Sequence, residues 1–173
     1  RAPCKQVVLK GDEIDIEQFA WLKNNPADAG RYINITSVIM DDAEFGKNTG
    51  TYRCQVRDGK RISINPEPSQ HGWRILTAMR KRGDKVAHVA IAVGADPFTF
   101  CASSTKMAGF QEDELEFSGG LRGRALEARD RRVNGGPVPG VEPRTLAARD
   151  DGPRLGVEDV ELELGVSRQL RGQ

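Results

Sequence analysis

Asn48-Thr-Gly-Thr-Tyr-Arg-Cys-Gln-Val56 is followed by Arg57-Asp-Gly-Lys60 and then by Arg61-Ile-Ser-Ile-Asn65. The first and third segments have the composition of β-strands, and the Asp-Gly pair between them favours a tight turn because both residues tolerate positive φ. The sequence therefore predicts an antiparallel hairpin.

Polar residues at the open end of this hairpin predict a binding site. Folding back brings Asn48 and Arg53 toward Asn65, Gln70 and His71. Amide oxygen and imidazole nitrogen suit a divalent cation, and a guanidinium pairs with phosphate or carboxylate. The residue types alone leave the choice of ligand open.

A helix is predicted to begin at or just before His71. Trp73, Leu76 and Met79 fall at helical spacing, and the segment ends in Lys81-Arg82-Gly83, a basic last turn with a glycine stop. The free N–H groups at the start of this helix would face the polar end of the hairpin, where they could bind an anion such as a phosphate.

The remaining pattern predicts an α+β fold with a mostly antiparallel sheet and a few helices. Residues 31–40 are rich in β-branched side chains and predict one strand, and residues 86–93 predict a buried strand. The other expected elements are a strand at 6–9, helices at 16–22 and 113–117, a loop at 41–47, and a turn at Asp96.

Composition places the chain among single-domain proteins. It has 173 residues and a net charge of +1, so no basic surface for nucleic acid is predicted. Cys4, Cys54 and Cys101 show no metal-binding spacing and are expected to be reduced and buried. With no apolar segment long enough to span a bilayer and no signal-like start, we expect a cytoplasmic protein.

The last quarter of the chain differs in composition. There is no aromatic residue after Phe117 and no lysine after Lys106, while Arg, Gly and Pro accumulate. This composition has little to bury and is typical of disordered or loosely attached segments. We therefore expect a folded domain at 1–127 and a divergent tail at 128–173.

The Asn-x-Gly-x-Tyr-Arg run from Asn48 to Arg53, His71 downstream of it, and Gly94-Ala-Asp-Pro97 resemble the UbiD-like decarboxylases, which use prenylated flavin mononucleotide (FMN). The resemblance covers the region before the tail. It implies a split β-barrel flavin-binding domain, further domains on both sides of it in a longer protein, and a homo-oligomer.

The resemblance also implies a metal site. Asn48, His71 and Glu114 match the residues that hold the family's divalent ion, Mn²⁺ or Mg²⁺, and K⁺ is a further ion to be expected. Such a donor set leaves coordination positions for water and a flavin phosphate oxygen. Without the resemblance, a lone histidine at a helix start is more often a cap.

Cofactor contacts are implied for two segments. Thr51, Tyr52 and Arg53 match the run whose backbone holds the flavin and whose arginine, the candidate catalytic residue, approaches the substrate carboxylate. A second set matches more by spacing than by residue type, namely Asn65, Pro66, Glu67, Gln70 and His71.

The function implied is the reversible decarboxylation of a small aromatic or α,β-unsaturated carboxylic acid, with a flavin prenyltransferase supplying the cofactor. Glu158 and Glu163 have the spacing of the family's proton-donor loop but none of its Gly or Pro, so we expect little turnover from this chain alone. Two alternatives stay open: a flavin- or metal-binding module without decarboxylase activity, and a structural subunit of a multi-subunit carboxylase.

Overall fold

The computed structural model describes residues 7–9, 11–84, 86–124 and 164–166. In chain order, its strands and helices are β1 (Val7–Leu9), β2 (Tyr32–Ile33), β3 (Thr36–Asp42), β4 (Gly46–Gly50), β5 (Arg53–Asp58), β6 (Arg61–Asn65), α1 (His71–Arg82), β7 (Val89–Val93), α2 (Pro97–Ser104), α3 (Glu114–Arg122) and β8 (Leu164–Val166). Short 3₁₀ helices at Gly11–Glu13 and Ile16–Gln18 replace the helix expected at 16–22. Every strand pair within these ranges is antiparallel, which confirms the predicted α+β class.

The strands form two three-stranded sheets, ordered β2-β5-β6 and β4-β3-β7, while β1 pairs with β8. Both sheets and α1 contribute to one hydrophobic core, composed mainly of Ile16, Ile33, Val38, Met40, Tyr52, Cys54, Val56, Ile62, Ile64, Ile75, Leu76, Met79 and Val89. Strand β8 falls within the segment predicted as a divergent tail. Glu158, Glu163 and most of that segment lie outside the described residues, so the boundary at 127 stays a prediction.

The chain crosses from one sheet to the other at residues 34–35 and again at 51–52. Each of the single strands predicted at 31–40 and 48–56 is therefore two strands in different sheets. The crossovers lie side by side, because the Thr36 hydroxyl donates a hydrogen bond to the Tyr52 carbonyl at 2.9 Å. The isoleucines at 33 and 35 alternate in the sequence as in one strand, yet Ile33 is buried and Ile35 is 54% exposed, so the sequence pattern does not reveal the first crossover.

The predicted hairpin is present as β5 and β6, with Arg53 opposite Asn65 and Cys54 opposite Ile64. Arg53 is exposed and Cys54 fully buried, as alternation predicts. Burial raises the pKa of the Cys54 thiol to about 11, which keeps it protonated at neutral pH. Cys101 was expected to be buried as well, but it lies exposed on α2.

The loop predicted at 41–47 is a tight turn between β3 and β4. One Asp42 carboxylate oxygen accepts hydrogen bonds from the backbone N–H groups of Glu44 and Phe45, both at 3.0 Å, and Gly46 has a φ of 73°. Because the turn uses so few residues, β4 begins early enough to place Asn48 inside the sheet opposite Met40.

Helix α1 runs from His71 to Arg82 and is stopped by Gly83 in the left-handed conformation, as predicted. Helix α2 was not predicted. Asp96, expected in a simple turn, caps α2 by accepting from the N–H groups of Phe98 and Thr99. Proline at the first helical position favours the same start.

Helix α3 runs to Arg122, well past the predicted end at 117, although it contains Gly119 and Gly120. Tertiary packing outweighs the glycine penalty, since the buried Ser118 hydroxyl lies 3.0 Å from the Thr99 hydroxyl of α2. Strand β7 is shorter and less buried than predicted because it is an edge strand. None of the helices in the described residues is long and apolar enough to cross a membrane.

An ionic cluster fastens the end of α1 to the β3–β4 turn. Arg82 donates to Asp42, Glu44 and Asp84 at 2.6, 2.9 and 2.7 Å. Burial alone would raise the pKa of Asp42, but hydrogen bonds from Arg82 and the two turn N–H groups outweigh it and hold that pKa below its usual value. The folded state therefore favours the Asp42 carboxylate.

We expect the free energy of unfolding of Asp42→Asn to fall less than that of the wild type as the pH is lowered. A depressed pKa in the folded state stabilises the protein above the ordinary value of 3.8, and this contribution is lost as pH falls through the folded-state value. Urea unfolding between pH 3 and pH 6 would measure it. If the free energy of unfolding changed equally with pH in the variant and the wild type, Asp42 would not be a source of acid sensitivity.

Candidate functional site

Strand β4 and the first residues of α1 and α3 bring Asn48, His71 and Glu114 together. The Asn48 Nδ2 donates to Glu114 Oε1 at 3.0 Å, and His71 Nδ1 lies 3.6 Å from the same oxygen. The latter separation is too long for a hydrogen bond. The three side chains that the resemblance implied as metal ligands are therefore neighbours in the fold.

Glu114 is the first residue of α3, and Asp113 caps that helix by accepting from the N–H of Leu115. The Glu114 side chain is buried, and its second carboxylate oxygen accepts from the backbone N–H of Thr49 at 2.7 Å. Within the described residues, His71 is the one basic side chain in ion-pair range of this carboxylate. A buried carboxylate needs compensating partners, and this one receives hydrogen bonds from the Asn48 amide and the Thr49 N–H.

The Tyr52 hydroxyl connects Asn48 to the start of α1. It donates to Asn48 Oδ1 at 2.7 Å and accepts from the backbone N–H of Gly72 at 3.0 Å. A Cβ on Gly50 would lie 2.3 Å from the Tyr52 hydroxyl oxygen, and a Cβ on Gly72 would lie 2.6 Å from it. The Asn-x-Gly-x-Tyr spacing therefore has a packing reason, which the sequence interpretation of Tyr52 as a cofactor contact did not identify.

Burial and the nearby Glu114 carboxylate raise the pKa of Tyr52 to about 12. In a Tyr32→Phe variant, Tyr52 is the remaining tyrosine. We expect its phenol to ionise near pH 12 in a spectrophotometric titration. The raised pKa stabilises the folded state below pH 10 and this contribution is lost as pH rises toward 12. Ionisation near pH 10 with the fold intact would contradict this environment.

Phe110 and Arg74 form the outer edge of the site. The Phe110 ring meets the His71 ring edge-on with centroids 5.3 Å apart, and the Arg74 guanidinium carbon lies 3.7 Å from the Phe110 centroid. Sequence reasoning missed both residues. The position of Arg74, one helical turn after His71, was the available signal for it.

The residues predicted to contact the cofactor occupy the surroundings of this site. Thr51 lies against α2, where its hydroxyl is 3.0 Å from those of Ser103 and Ser104. Arg53 and Asn65 are opposite each other and exposed, and within the described residues neither side chain is hydrogen-bonded to the Asn48, His71 and Glu114 group.

The turn before α1 contains the other predicted contacts. Pro66 is buried and Glu67 exposed. Gln70 closes the turn, because its Oε1 accepts from the N–H of Glu67 at 2.6 Å and its own N–H donates to the Glu67 carbonyl at 2.9 Å. Gln70 therefore shapes the loop and makes no side-chain hydrogen bond to the start of α1.

In the described part of the chain, no group of three or more His, Cys, Asp or Glu side chains is placed to hold a metal. The candidate trio contains two such residues, and its third donor is the Asn48 amide. The structure orients the nitrogen of that amide, rather than its oxygen, toward Glu114.

Comparison with known proteins identifies the family of this antiparallel α+β chain. Residues 1–142 match the family model described as "UbiD: 3-octaprenyl-4-hydroxybenzoate carboxy-lyase Rift-related domain". The chain therefore belongs to the UbiD family, as the resemblance indicated. The match extends past residue 127, where the sequence interpretation placed the domain boundary.

Related proteins carry decarboxylase and flavin descriptions. The phenolic acid decarboxylase of Sedimentibacter hydroxybenzoicus is 33% identical over 126 residues, which are 70% of this chain and 26% of that protein. The closed form of vanillic acid decarboxylase from the same organism superposes with a TM-score of 0.65 at 31% identity, covering 70% of this chain and 26% of its own.

A flavin complex is among the structural relatives. An evolved dimeric form of the UbiD-class enzyme HmfF from Pelotomaculum thermopropionicum, in complex with prenylated FMN, gives a TM-score of 0.63 at 29% identity, covering 72% of this chain and 29% of its own. The present chain thus spans between a quarter and a third of the length of these relatives.

Proposed function

We propose that this chain supplies the metal and flavin-phosphate site of a UbiD-family enzyme that reversibly decarboxylates a small aromatic or α,β-unsaturated carboxylic acid with prenylated FMN. The observation that carries the proposal is the buried Glu114 carboxylate, which meets Asn48 and His71 but no Lys or Arg within the described residues. The decarboxylases and the flavin complex among its relatives support the same function.

The donor set fits a divalent ion such as Mn²⁺ or Mg²⁺ if the Asn48 amide turns over, so that its oxygen faces Glu114. The Tyr52 hydroxyl permits both orientations, because it can donate to the amide oxygen or accept from the amide nitrogen. We expect Asn48, His71 and Glu114 to hold the ion, whose charge would compensate the buried carboxylate. K⁺ stays a prediction from the resemblance.

The start of α1 would bind the flavin phosphate. The Tyr52 hydroxyl occupies the Gly72 N–H, but no side chain caps the helix, because the Gln70 side chain turns back to Glu67. The positive end of the helix dipole would therefore accept an anion beside the proposed metal ligands.

Prenylated FMN, when bound, supplies the electron-accepting centre that stabilises the carbanion left by CO₂. For this chain we propose that the exposed Arg53 guanidinium, one residue after Tyr52, pairs with the substrate carboxylate. The flavin contacts implied by the resemblance belong to the same proposal, namely Thr51, Tyr52, Arg53, Asn65, Pro66, Glu67, Gln70 and His71. The expected lack of a proton donor, the prenyltransferase partner, the homo-oligomer and the cytoplasmic location remain predictions.

Two narrower roles stay open as alternatives. A module that holds flavin and metal without catalysing decarboxylation, or a structural subunit completed by another chain, would need no more than the described site. Co-purification with a larger UbiD-family subunit would support the second of these roles.

The proposal is tested by reconstitution. The chain is expressed with a flavin prenyltransferase and Mn²⁺, desalted, and its absorbance spectrum and metal content are recorded beside those of His71→Ala and Glu114→Ala. We expect bound flavin and stoichiometric metal in the wild type, and loss of the metal in both variants. A colourless, metal-free wild type would refute the proposal.

A further inference from the structure

Phe110 belongs to the connection between α2 and α3 and contacts the candidate site from outside it. Its ring centroid lies 5.3 Å from that of His71 and 5.2 Å from that of Phe45, while the Arg74 guanidinium covers one of its faces. The ring packs against the buried core without being fully buried itself. It is therefore a shared contact for several elements.

These contacts connect the three elements that contain the candidate ligands. His71 is on α1, Phe45 lies in the turn that leads into β4 and Asn48, and Phe110 itself precedes α3 and Glu114. A displacement of the Phe110 ring would therefore change the spacing between two or three of the ligands at once.

His71 depends most on this contact. Its side chain is 26% exposed, and in the described part of the chain its ring accepts and donates no hydrogen bond, Glu114 being 3.6 Å away. Metal-binding histidines are normally oriented by a hydrogen bond from the second ring nitrogen. In this chain, the edge-on contact with Phe110 can orient the His71 ring instead.

We propose that Phe110 is a positioning residue that fixes the His71 imidazole toward Glu114 for metal binding, and that Arg74 holds Phe110 in place through its cation–π contact. This inference rests on the proposed metal site. It assigns a role to two residues that need not touch the ion, the flavin or the substrate.

The test is Mn²⁺ titration of the full 173-residue chain by calorimetry. We expect Phe110→Leu to weaken binding about 10-fold, the low end of the effect of removing an outer-shell partner. Phe110→Tyr keeps the ring and should bind like the wild type. Phe19→Leu is the matched control, because it removes an aromatic contact with Trp21, at 5.4 Å, that involves none of the ligands.

A second readout separates positioning from general loss of stability. The electron paramagnetic resonance spectrum of bound Mn²⁺ should change in Phe110→Leu and stay unchanged in Phe19→Leu, because it reports ligand geometry. Arg74→Met should weaken binding about 3-fold, in proportion to an exposed cation–π contact. This variant also provides the test if Phe110→Leu does not fold.

The outcomes distinguish the two proposals. No Mn²⁺ binding by the wild type would refute the proposed function and this inference with it. Binding by the wild type that is unchanged in Phe110→Leu, or weakened equally in Phe19→Leu, would overturn the role of Phe110 while leaving the metal site intact. If Phe110→Leu is unfolded, unchanged binding by Arg74→Met overturns it.

Discussion

Glu114→Gln is expected to weaken Mn²⁺ binding strongly while preserving the fold. The glutamine has the same shape, and its carbonyl oxygen can still accept the hydrogen bond that the Thr49 N–H donates at 2.7 Å. What is lost is the negative charge of the one carboxylate in the proposed donor set. We expect the dissociation constant to rise on the order of 100-fold, because removing a ligand costs at least as much as removing an outer-shell partner.

Glu116→Gln is the matched control, since Glu116 is on the same helix but exposed. Both variants should show the same near-ultraviolet circular dichroism as the wild type, and metal binding should separate them. A Glu114→Gln protein that binds Mn²⁺ as tightly as Glu116→Gln would mean that the ion binds elsewhere.

Gly50→Ala is expected to give the largest loss of stability. The added Cβ would lie 2.3 Å from the Tyr52 hydroxyl oxygen and 2.4 Å from its ring carbon Cζ, so the ring must move. Moving it breaks the hydrogen bonds of the hydroxyl to Asn48 and Gly72, both buried. Overpacking with two lost buried hydrogen bonds should lower the free energy of unfolding by about 3 kcal/mol or more.

Gly120→Ala provides the comparison, because a Cβ at this position of α3 meets nothing within 4 Å. Alanine is the better helix former, so this variant should be more stable than the wild type by about 0.5 to 1 kcal/mol. Urea unfolding of the three proteins measures both effects. A Gly50→Ala variant as stable as the wild type would show that Tyr52 is free to move away from Gly50.

Local patterns account for the parts of the fold that were predicted from sequence. The Asp58-Gly59 pair joins two antiparallel strands as predicted, and α1 starts at His71 and ends at Arg82 before Gly83, because the helical spacing and the glycine stop are local signals. The alternation that buries Cys54 and exposes Arg53 is local as well.

Contacts between distant residues account for what was missed. The two crossovers between the sheets are joined by the hydrogen bond from the Thr36 hydroxyl to the Tyr52 carbonyl, and α3 continues through two glycines where Ser118 packs on α2. No periodicity in a single sequence reports such pairings. The same holds for Phe110, which reaches His71 through the tertiary fold alone.

The candidate site lies between these cases. Asn48 and His71 could be placed near each other from the predicted hairpin and helix, but Glu114 joined them only through the resemblance to UbiD-like enzymes. The flavin contact of Tyr52 stays a prediction, and its hydroxyl has a further role, since it connects Asn48 to the start of α1. Its supporting role follows from two glycines that leave space for the ring.

Anomalous X-ray scattering from crystals of the Mn²⁺-loaded chain tests the central claim most directly. We expect one manganese peak bonded to Asn48 Oδ1, a ring nitrogen of His71 and a carboxylate oxygen of Glu114, with the Asn48 amide turned over and the Tyr52 hydroxyl still in contact with it. A manganese peak away from these side chains, or none in crystals grown with saturating Mn²⁺, would contradict the account.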